Sequence, residues 1–212
     1  MEKTKFELIL ASASPRRKEL LGHLKIPYQI MTADTDEVST ATDPSFYCQE
    51  IALETGTVVL NKCLQENAAR NLVIISADTI VCLEDQIFGK PKTRDEARRI
   101  LSKLSGKTHS VMTGVVIQVF QKGQTQVVSF SEESRVTFNP ISNYLMEKYL
   151  DTEDSMDKAG AYGIQGPSLT FISKVNGDYA NVVGFPLSRF VIEFDKIVKK
   201  IDPTEASWEN LF

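Results

Sequence analysis

The segment from Ser12 to Arg17 has the residue types of an anion-binding turn. Its sequence, Ser-Ala-Ser-Pro-Arg-Arg, lies between an apolar run and a predicted helix, so backbone N–H groups at the helix start would face an anion. Arg16 and Arg17 fall in the first helical turn, where the helix dipole disfavours cations by up to ~1 kcal/mol. Two arginines at this unfavourable place are explained if they lie beside a bound phosphate. We therefore interpret Ser12, Ser14 and the two arginines as a phosphate-binding group. The alternative is arginines that face water or pair with Glu19.

A second candidate is the pair Asp78-Thr79, which lies between two apolar runs. A carboxylate in a buried strand costs free energy unless it is paired, hydrogen-bonded or bound to a metal. The pattern predicts either a metal ligand or general base, or an aspartate that only accepts backbone hydrogen bonds. A turn predicted at 84–86 would bring Lys90 nearly opposite Asp78. An acid beside an amine suits metal-assisted attack on a phosphoryl group, and a structural salt bridge is the alternative.

Two further segments could complete such a site. The acidic run at 34–37 is either a solvated loop or the source of a second carboxylate, Asp36 or Glu37, for magnesium. The segment at 157–166 is rich in glycine, which permits close approach of a ligand to the backbone. Within it, the amide of Gln165 can both donate and accept a hydrogen bond. The alternative for this segment is a turn-rich connector.

Several familiar site types are not indicated. His109 and His23 have no metal-ligand partner at a useful spacing, so both are interpreted as structural. The cysteines Cys48, Cys63 and Cys82 are isolated and odd in number, which indicates neither a zinc site nor a disulfide framework. The glycine-rich segment matches neither GxGxxG nor a Walker motif, so it does not favour Rossmann or P-loop chemistry.

Local signals predict the elements that would position these residues. Ser14 suits the N-cap of a helix from Arg16 to Lys25, and Thr93 with Glu96 forms a capping box for another helix. The other predicted elements are strands at 8–10, 72–83, 87–88, 111–120 and 126–138, helices at 46–65, 140–150 and 187–199, and a hairpin with a type I′ turn at Asn176-Gly177. Helices that alternate with long strands indicate an α/β fold, and the late hairpins make its sheet mixed.

The bulk composition is that of a globular protein of 212 residues, with 42% hydrophobic and 25% charged residues. A net charge of −4 disfavours stable binding of nucleic acid, which normally needs a basic face. No apolar run approaches the ~20 residues of a membrane span, and the N-terminus shows no signal-peptide pattern, so a cytoplasmic location is expected. We predict one domain over 1–201 and a tail at 202–212 that is loose or docked onto a partner subunit.

Taken in order, the motifs of this chain closely resemble those of the Maf family of nucleoside triphosphate pyrophosphatases, from Leu8 to about Phe194. The motifs are Ser12–Arg17, Ala77-Asp-Thr79, Gly89-Lys-Pro91, Leu104-Ser-Gly106 with His109, and Asp157–Gly166. The resemblance implies an elongated mixed α/β fold, with a strongly twisted sheet flanked by helices and a deep cleft between two lobes. It also implies a divalent metal cation, Mg²⁺ or Mn²⁺, and a homodimer.

The resemblance also implies roles for single residues. Asp78 would accept a proton, and Arg16, Thr79 and Gln165 would set the choice of nucleotide, as in the branch of the family that acts on dTTP and UTP. One glutamine amide can meet both the N3–H and the O4 of uracil or thymine. An arginine donor near O4 would face the amino group of cytosine, and a buried mismatch of this kind is strongly disfavoured.

The predicted function is a house-cleaning hydrolysis of dTTP and UTP to the monophosphate and pyrophosphate. In the hypothesised mechanism Asp78, with Glu37 or Asp36, holds the metal and orients water toward the α-phosphorus, while Lys90 stabilises phosphate charge. The predicted substrate contacts are Ser12, Ser14, Arg16, Arg17, Thr79, Lys158 and Gln165. One alternative is a non-catalytic nucleotide-binding regulator of septum formation or cell division. Another is a purine-directed pyrophosphatase that acts on ITP or XTP.

Overall fold

The apolar runs and amphipathic segments of the chain fold into one mixed sheet with helices against both faces. The computed structural model describes residues 5–35, 39–201, 203, 208 and 211–212. Its strands are β1 (Glu7–Leu10), β2 (Gln29–Ile30), β3 (Leu72–Leu83), β4 (Gln86–Phe88), β5 (Thr108–Gln121), β6 (Gln124–Phe138) and β7 (Ile172–Asn176). Its α-helices are α1 (Pro15–Gly22), α2 (Pro44–Glu66), α3 (Arg94–Leu104), α4 (Asn143–Leu150), α5 (Tyr179–Val183) and α6 (Leu187–Ile201). The predicted mixed α/β class is confirmed.

The sheet has β3 and β5 at its centre. The strand order is β2-β1-β3-β5-β6-β7, and β4 pairs with β3 as an additional strand. β1 is parallel to β2 and β3, whereas β3, β5, β6 and β7 pair antiparallel. Nearly every residue of β3 is buried, as expected for an apolar strand covered on both faces.

One edge of β3 is covered at both ends but open in its middle. β1 pairs with β3 from Leu72 to Ile75, and β4 pairs with it from Val81 to Leu83. Between these pairings, and within the described part of the chain, no strand pairs with this edge at residues 76–80. Asp78 lies at the centre of this opening, which also lies beyond the carboxyl end of β1. Open sheets commonly bind ligands at such a place, outside the ends of parallel strands.

Two apolar clusters lie at opposite ends of the same face of the sheet. The first contains Val73 and Ile75 of β3 and packs against α1 and α6, and the second contains Val81 and packs against α3 and α4. Between them, the hydroxyl oxygens of Thr79 and Thr113 lie 3.0 Å apart and form a polar strip across the two strands. This interruption divides the molecule into two lobes and forms the floor of a cleft, as the resemblance implied.

Helix α2 covers the opposite face of β3 and β5. It begins after Asp43, whose carboxylate accepts hydrogen bonds from the first-turn amides of Ser45 and Phe46. Its residues Val59, Leu60 and Cys63 pack against β1 and the first half of β3. Nearer its start, the helix backbone approaches β5 very closely at Gly114, where a β-carbon would lie 2.5 Å from the carbonyl carbon of Cys48.

The predicted helix signals are confirmed with two differences. Ser14 caps α1 and Thr93 caps α3, each accepting from the amide three residues later. Helix α1 ends at Gly22 instead of continuing to Lys25, which has a φ of +55° and so cannot continue a right-handed helix. The carboxylate of Glu96 accepts from the amide of Lys92, one residue before the expected capping-box partner.

The predicted hairpin at Asn176-Gly177 is wrong. Asn176 ends β7, and Gly177 turns the chain with a φ of +124°. The carboxylate of Asp178 then accepts from the amide of Ala180 and starts helix α5 in place of a second strand. Asn181 holds this helix against the sheet, because its buried amide donates to the carbonyl of Val111 and to the hydroxyl of Ser134.

Three described residues of the C-terminal tail pack against their own chain. Leu211 is buried, and its carbonyl accepts a hydrogen bond from the amide of Phe6. Trp208 and Phe212 both pack against the ring of Phe194 on α6. At these positions the tail extends the core of the first lobe.

None of the helices in the described ranges is long and apolar enough to cross a membrane. All three cysteines are buried and free.

Candidate active site

A cavity of about 680 Å³ opens at the uncovered edge of β3. It is lined by nine of the residues that the sequence predicts for the site, which are Ser12, Ser14, Arg16, Arg17, Asp78, Thr79, Lys90, Lys158 and Gln165. Asp78 and Thr79 are neighbours on a strand, so their side chains point to opposite faces of the sheet. Both reach the cavity because it extends around the open edge. The predicted metal ligands Asp36 and Glu37 lie outside the described residues.

The turn at 12–17 is held by its own serines. The hydroxyl of Ser12 accepts from the amide of Ser14, and the hydroxyl of Ser14 accepts from the amide of Arg17. This places the start of α1, with its partial positive charge, on the wall of the cavity. The geometry suits an anion, as the sequence pattern predicted.

Arg17 joins three segments of the wall. Its Nε donates to the carbonyl oxygen of Gly184 at 2.9 Å, and its Nη2 donates to the hydroxyl of Thr79 at 3.1 Å. A longer bond of 3.4 Å runs from Nη1 to the hydroxyl of Ser12. These bonds fix a cation between α1, β3 and the end of α5, where it can offset the charge of a bound anion.

Asp78 is almost entirely buried, with 8% of its surface exposed. It pairs with Gly114 on β5, the residue over which α2 approaches the sheet. Burial and, to a smaller extent, the charge of Asp78 together raise the pKa of the neighbouring Cys48 thiol to about 12. Cys48 is therefore a neutral packing residue at neutral pH.

Lys90 lines the same cavity as Asp78, just beyond the end of β4. The ladder between β3 and β4 pairs Val81 with Phe88, two residues before Lys90, and continuing that register places Lys90 opposite Thr79. Regular pairing stops at Phe88, so Lys90 follows the strand and lines the cavity.

The described carboxylates suit a metal that takes most of its ligands from substrate and water. No group of three or more His, Cys, Asp or Glu side chains is arranged as a complete ligand set among the residues described. Magnesium commonly uses only one or two protein carboxylates together with substrate phosphates, and Asp78 is a carboxylate that lines the cavity. Asp34 also lines the cavity and begins the acidic run that was predicted to supply the second.

A network of four charges, which the sequence did not predict, joins the start of α1 to the opposite wall. Arg16 donates through Nη1 to Oδ2 of Asp157 at 3.1 Å. The ammonium of Lys158 lies 2.6 Å from Oδ1 of Asp157 and 3.0 Å from Oδ1 of Asp154. Gln165 is exposed on the same wall. Two cations thus meet two carboxylates, and this end of the cavity is close to neutral.

A buried aromatic pair forms the base of the same wall. Nε2 of His109 lies 2.7 Å from the hydroxyl oxygen of Tyr162, and Tyr162 lines the cavity. Burial lowers the pKa of His109 to about 4 and raises that of Tyr162, so both are neutral at pH 7. His109 is structural, as predicted. Tyr162 was missed as a lining residue, although its position between two glycines was a signal that could have found it.

Comparison with known proteins gives a consistent set of relatives. The model of a family described as Maf-like protein matches residues 7–197. A protein of Agathobacter rectalis named dTTP/UTP pyrophosphatase is 40% identical over 199 residues, which are 90% of this chain and 97% of that protein. One of the same name from Bacillus cereus strain B4264 is 40% identical over 201 residues, covering 94% and 99%. A solved nucleoside-triphosphatase / dITP/XTP pyrophosphatase of Mycobacterium abscessus aligns with a TM-score of 0.33 and 12% identity, over 61% of this chain and 72% of that one.

Proposed function

This chain belongs to the Maf family, and on that basis we propose that it hydrolyses dTTP and UTP to the nucleoside monophosphate and pyrophosphate. The observation that carries the proposal is the cavity at the open edge of β3. There the helix-start turn, Arg17, Lys90 and the buried carboxylate of Asp78 line one space. Relatives named dTTP/UTP pyrophosphatase align over nine-tenths of the chain or more, and the family model, which matches residues 7–197, includes every one of these residues.

The charge distribution orients the substrate. The triphosphate, with several negative charges, binds at the end formed by the start of α1, Arg17 and Lys90. The base binds at the near-neutral end, beside Arg16 and Gln165. A glutamine amide meets the N3–H and O4 of uracil or thymine, and a donor of Arg16 at O4 rejects the amino group of cytosine.

Asp78 accepts the proton of the water that attacks the α-phosphorus. Its burial keeps bulk water away from the carboxylate, so the proton transfer takes place in a site of low dielectric. As the new P–O bond forms, the bond to the bridging oxygen of the β-phosphate breaks, and pyrophosphate leaves. Lys90 and Arg17 offset the charge that develops on the phosphate oxygens.

A divalent cation, Mg²⁺ or Mn²⁺, completes the proposed site. Asp78 would hold it together with Asp36 or Glu37, and it would polarise the phosphate oxygens and help to orient the water. We further propose a homodimer in the cytoplasm, as family membership suggests. Light scattering of the purified protein tests the dimer, and a mass equal to one chain at micromolar concentration would contradict it.

The decisive experiment is a panel of triphosphates assayed for pyrophosphate release with and without EDTA. We expect turnover of dTTP and UTP well above CTP, ITP and XTP, and loss of turnover in EDTA. Asp78→Asn keeps the shape of the side chain and should nearly abolish turnover. Asp151→Asn removes an exposed carboxylate that pairs with Arg94 at 2.7 Å, and serves as the control.

Other results would favour the alternatives. Nucleotide-dependent stabilisation of the fold without pyrophosphate release would indicate a binding protein, such as a regulator of septum formation. A preference for ITP or XTP would indicate a purine-directed enzyme. Wild-type rates in Asp78→Asn would show that this carboxylate is not the proton acceptor.

A further inference from the structure

Lys158 is held within the protein by two hydrogen bonds and an additional ion pair. In the structure the nitrogen contacts three oxygens, the carbonyl of Asp154 at 2.8 Å, Oδ1 of Asp154 at 3.0 Å and Oδ1 of Asp157 at 2.6 Å. Only 13% of its side chain is exposed. Lys158 is therefore a mostly buried cation that is bonded within the protein, unlike an exposed surface lysine.

The stem of Lys158 is also packed against the backbone of the glycine-rich segment. A β-carbon on Gly163 would lie 2.4 Å from Cε and 2.5 Å from Cδ of Lys158. The absence of a side chain at Gly163 is what lets the lysine stem pass beneath the turn that leads to Gln165. The carboxylate of Asp154 is fixed in turn, because its Oδ2 accepts from the hydroxyl of Tyr149.

Asp157 connects this fixed lysine to Arg16 on the other lobe. One carboxylate oxygen contacts the ammonium of Lys158, and the other accepts from Nη1 of Arg16 at 3.1 Å. Nη2 of Arg16 adds a longer bond of 3.5 Å to the carbonyl of Asp157. Arginine has five N–H donors in a planar fork, so a fork held by one edge still presents its remaining donors to the cavity.

We propose that Asp157, fixed by Lys158, positions the guanidinium of Arg16 and thereby sets the preference for uracil and thymine over cytosine. Lys158 acts through Asp157 and does not bind the triphosphate. This inference rests on the proposed function, since it explains how one of its selectivity residues is held. Without Asp157, Arg16 is a flexible side chain at the cleft mouth, and its donors no longer face O4 of the base in a fixed direction.

The test compares UTP and CTP as substrates of four variants, Asp157→Asn, Lys158→Met, the double variant and Asp151→Asn. Asp157 and Asp151 have equally exposed side chains, at 60%, and each pairs with an arginine, so Asp151 is a matched control outside the site. A merely structural role would lower the melting temperature and both values of kcat/KM together. A positioning role changes the ratio of the two values.

We expect the ratio of kcat/KM for UTP to that for CTP to fall about tenfold in Asp157→Asn, because loosening Arg16 weakens its contact with the base by roughly the net worth of one hydrogen bond. Lys158→Met should shift the ratio in the same direction, the double variant should shift it no further than Asp157→Asn, and the control should leave it unchanged. An unchanged ratio in Asp157→Asn overturns the inference. A higher KM for both nucleotides in Lys158→Met, with the ratio preserved, would instead make Lys158 a phosphate ligand.

Failure of the proposed function is distinguishable from failure of the inference. If the wild-type protein releases no pyrophosphate from dTTP or UTP, the proposed function is wrong. The ratio of the dissociation constants for UTP and CTP, measured by calorimetry on the same variants, then decides the inference. A ratio that is the same in the wild type and Asp157→Asn would overturn it on binding alone.

Discussion

Replacing Gly114 by alanine should displace α2 slightly away from the sheet. A β-carbon at this position would lie 2.5 Å from the carbonyl carbon of Cys48, 2.6 Å from the amide nitrogen of Gln49 and 2.7 Å from the carbonyl oxygen of Cys48. All three atoms belong to the backbone of α2, so no side chain can rotate to relieve the overlap. Since non-bonded carbons approach to about 3.5 Å, the helix has to retreat by roughly 1 Å.

The expected loss of stability follows from that retreat. Overpacking a close-packed interior costs about 1–3 kcal/mol, and a collision with helix backbone belongs at the upper end of that range. The glycine-to-alanine change recovers up to about 1 kcal/mol by reducing the entropy of the unfolded chain. A net loss of about 2 kcal/mol corresponds to a melting temperature lower by about 4–8 °C for a chain of this length.

Thermal and urea unfolding of Gly114→Ala, followed by circular dichroism, provide the measurement. Gly89→Ala is the matched control, because a β-carbon there would meet nothing within 4 Å. We expect that control to be neutral or slightly stabilising. A melting temperature for Gly114→Ala equal to that of the wild type would show that α2 tolerates the added methyl group, and would refute the argument from backbone contact.

Two further predictions concern other parts of the core. Burial lowers the pKa of His109 from 6.5 to about 4, so the unfolded chain takes up the proton first and the fold loses stability as the pH falls from 6.5 to 4. His109→Asn should remove about 3 kcal/mol of that pH dependence. The measurement is the free energy of unfolding in urea at pH 7 and at pH 4, for the wild type and the variant. An identical pH dependence in both proteins would contradict this prediction. Leu211 packs in the first lobe with only 3% of its surface exposed. Leu211→Ala should therefore lower the free energy of unfolding by about 2–3 kcal/mol. An unchanged free energy of unfolding would mean that this residue of the tail contributes nothing to the core.

Those features that depend on neighbouring residues were predictable from the sequence. Ser14 and Thr93 were identified as helix caps because a cap involves atoms only three residues apart. Lys90 could be placed near Asp78 by counting outward from a short turn, since a tight hairpin fixes its own register. The same reasoning failed at Asn176-Gly177, where tertiary bonds from Asn181 favour a helix after the turn.

The opposite wall of the site was not predictable in this way. Arg16 and Asp157 are 141 positions apart, and their contact depends on how two lobes face each other across the cleft. No local pattern carries that information. Lys158 could be recognised as a cation in a suggestive motif, but only the packed structure shows that its ammonium group contacts Asp154 and Asp157.

The unbroken ladder between β3 and β5 has a mechanical consequence. The two strands pair without interruption from Leu72 opposite Phe120 to Cys82 opposite Ser110, so they pass through both lobes. Enzymes that close around a ligand by rotation of rigid bodies need a hinge, a few residues whose dihedral angles can change. A continuous two-stranded ladder supplies none. The aperture of this cleft is therefore set by the twist of the sheet, and adjustment to a ligand falls to the turns and side chains at its rim.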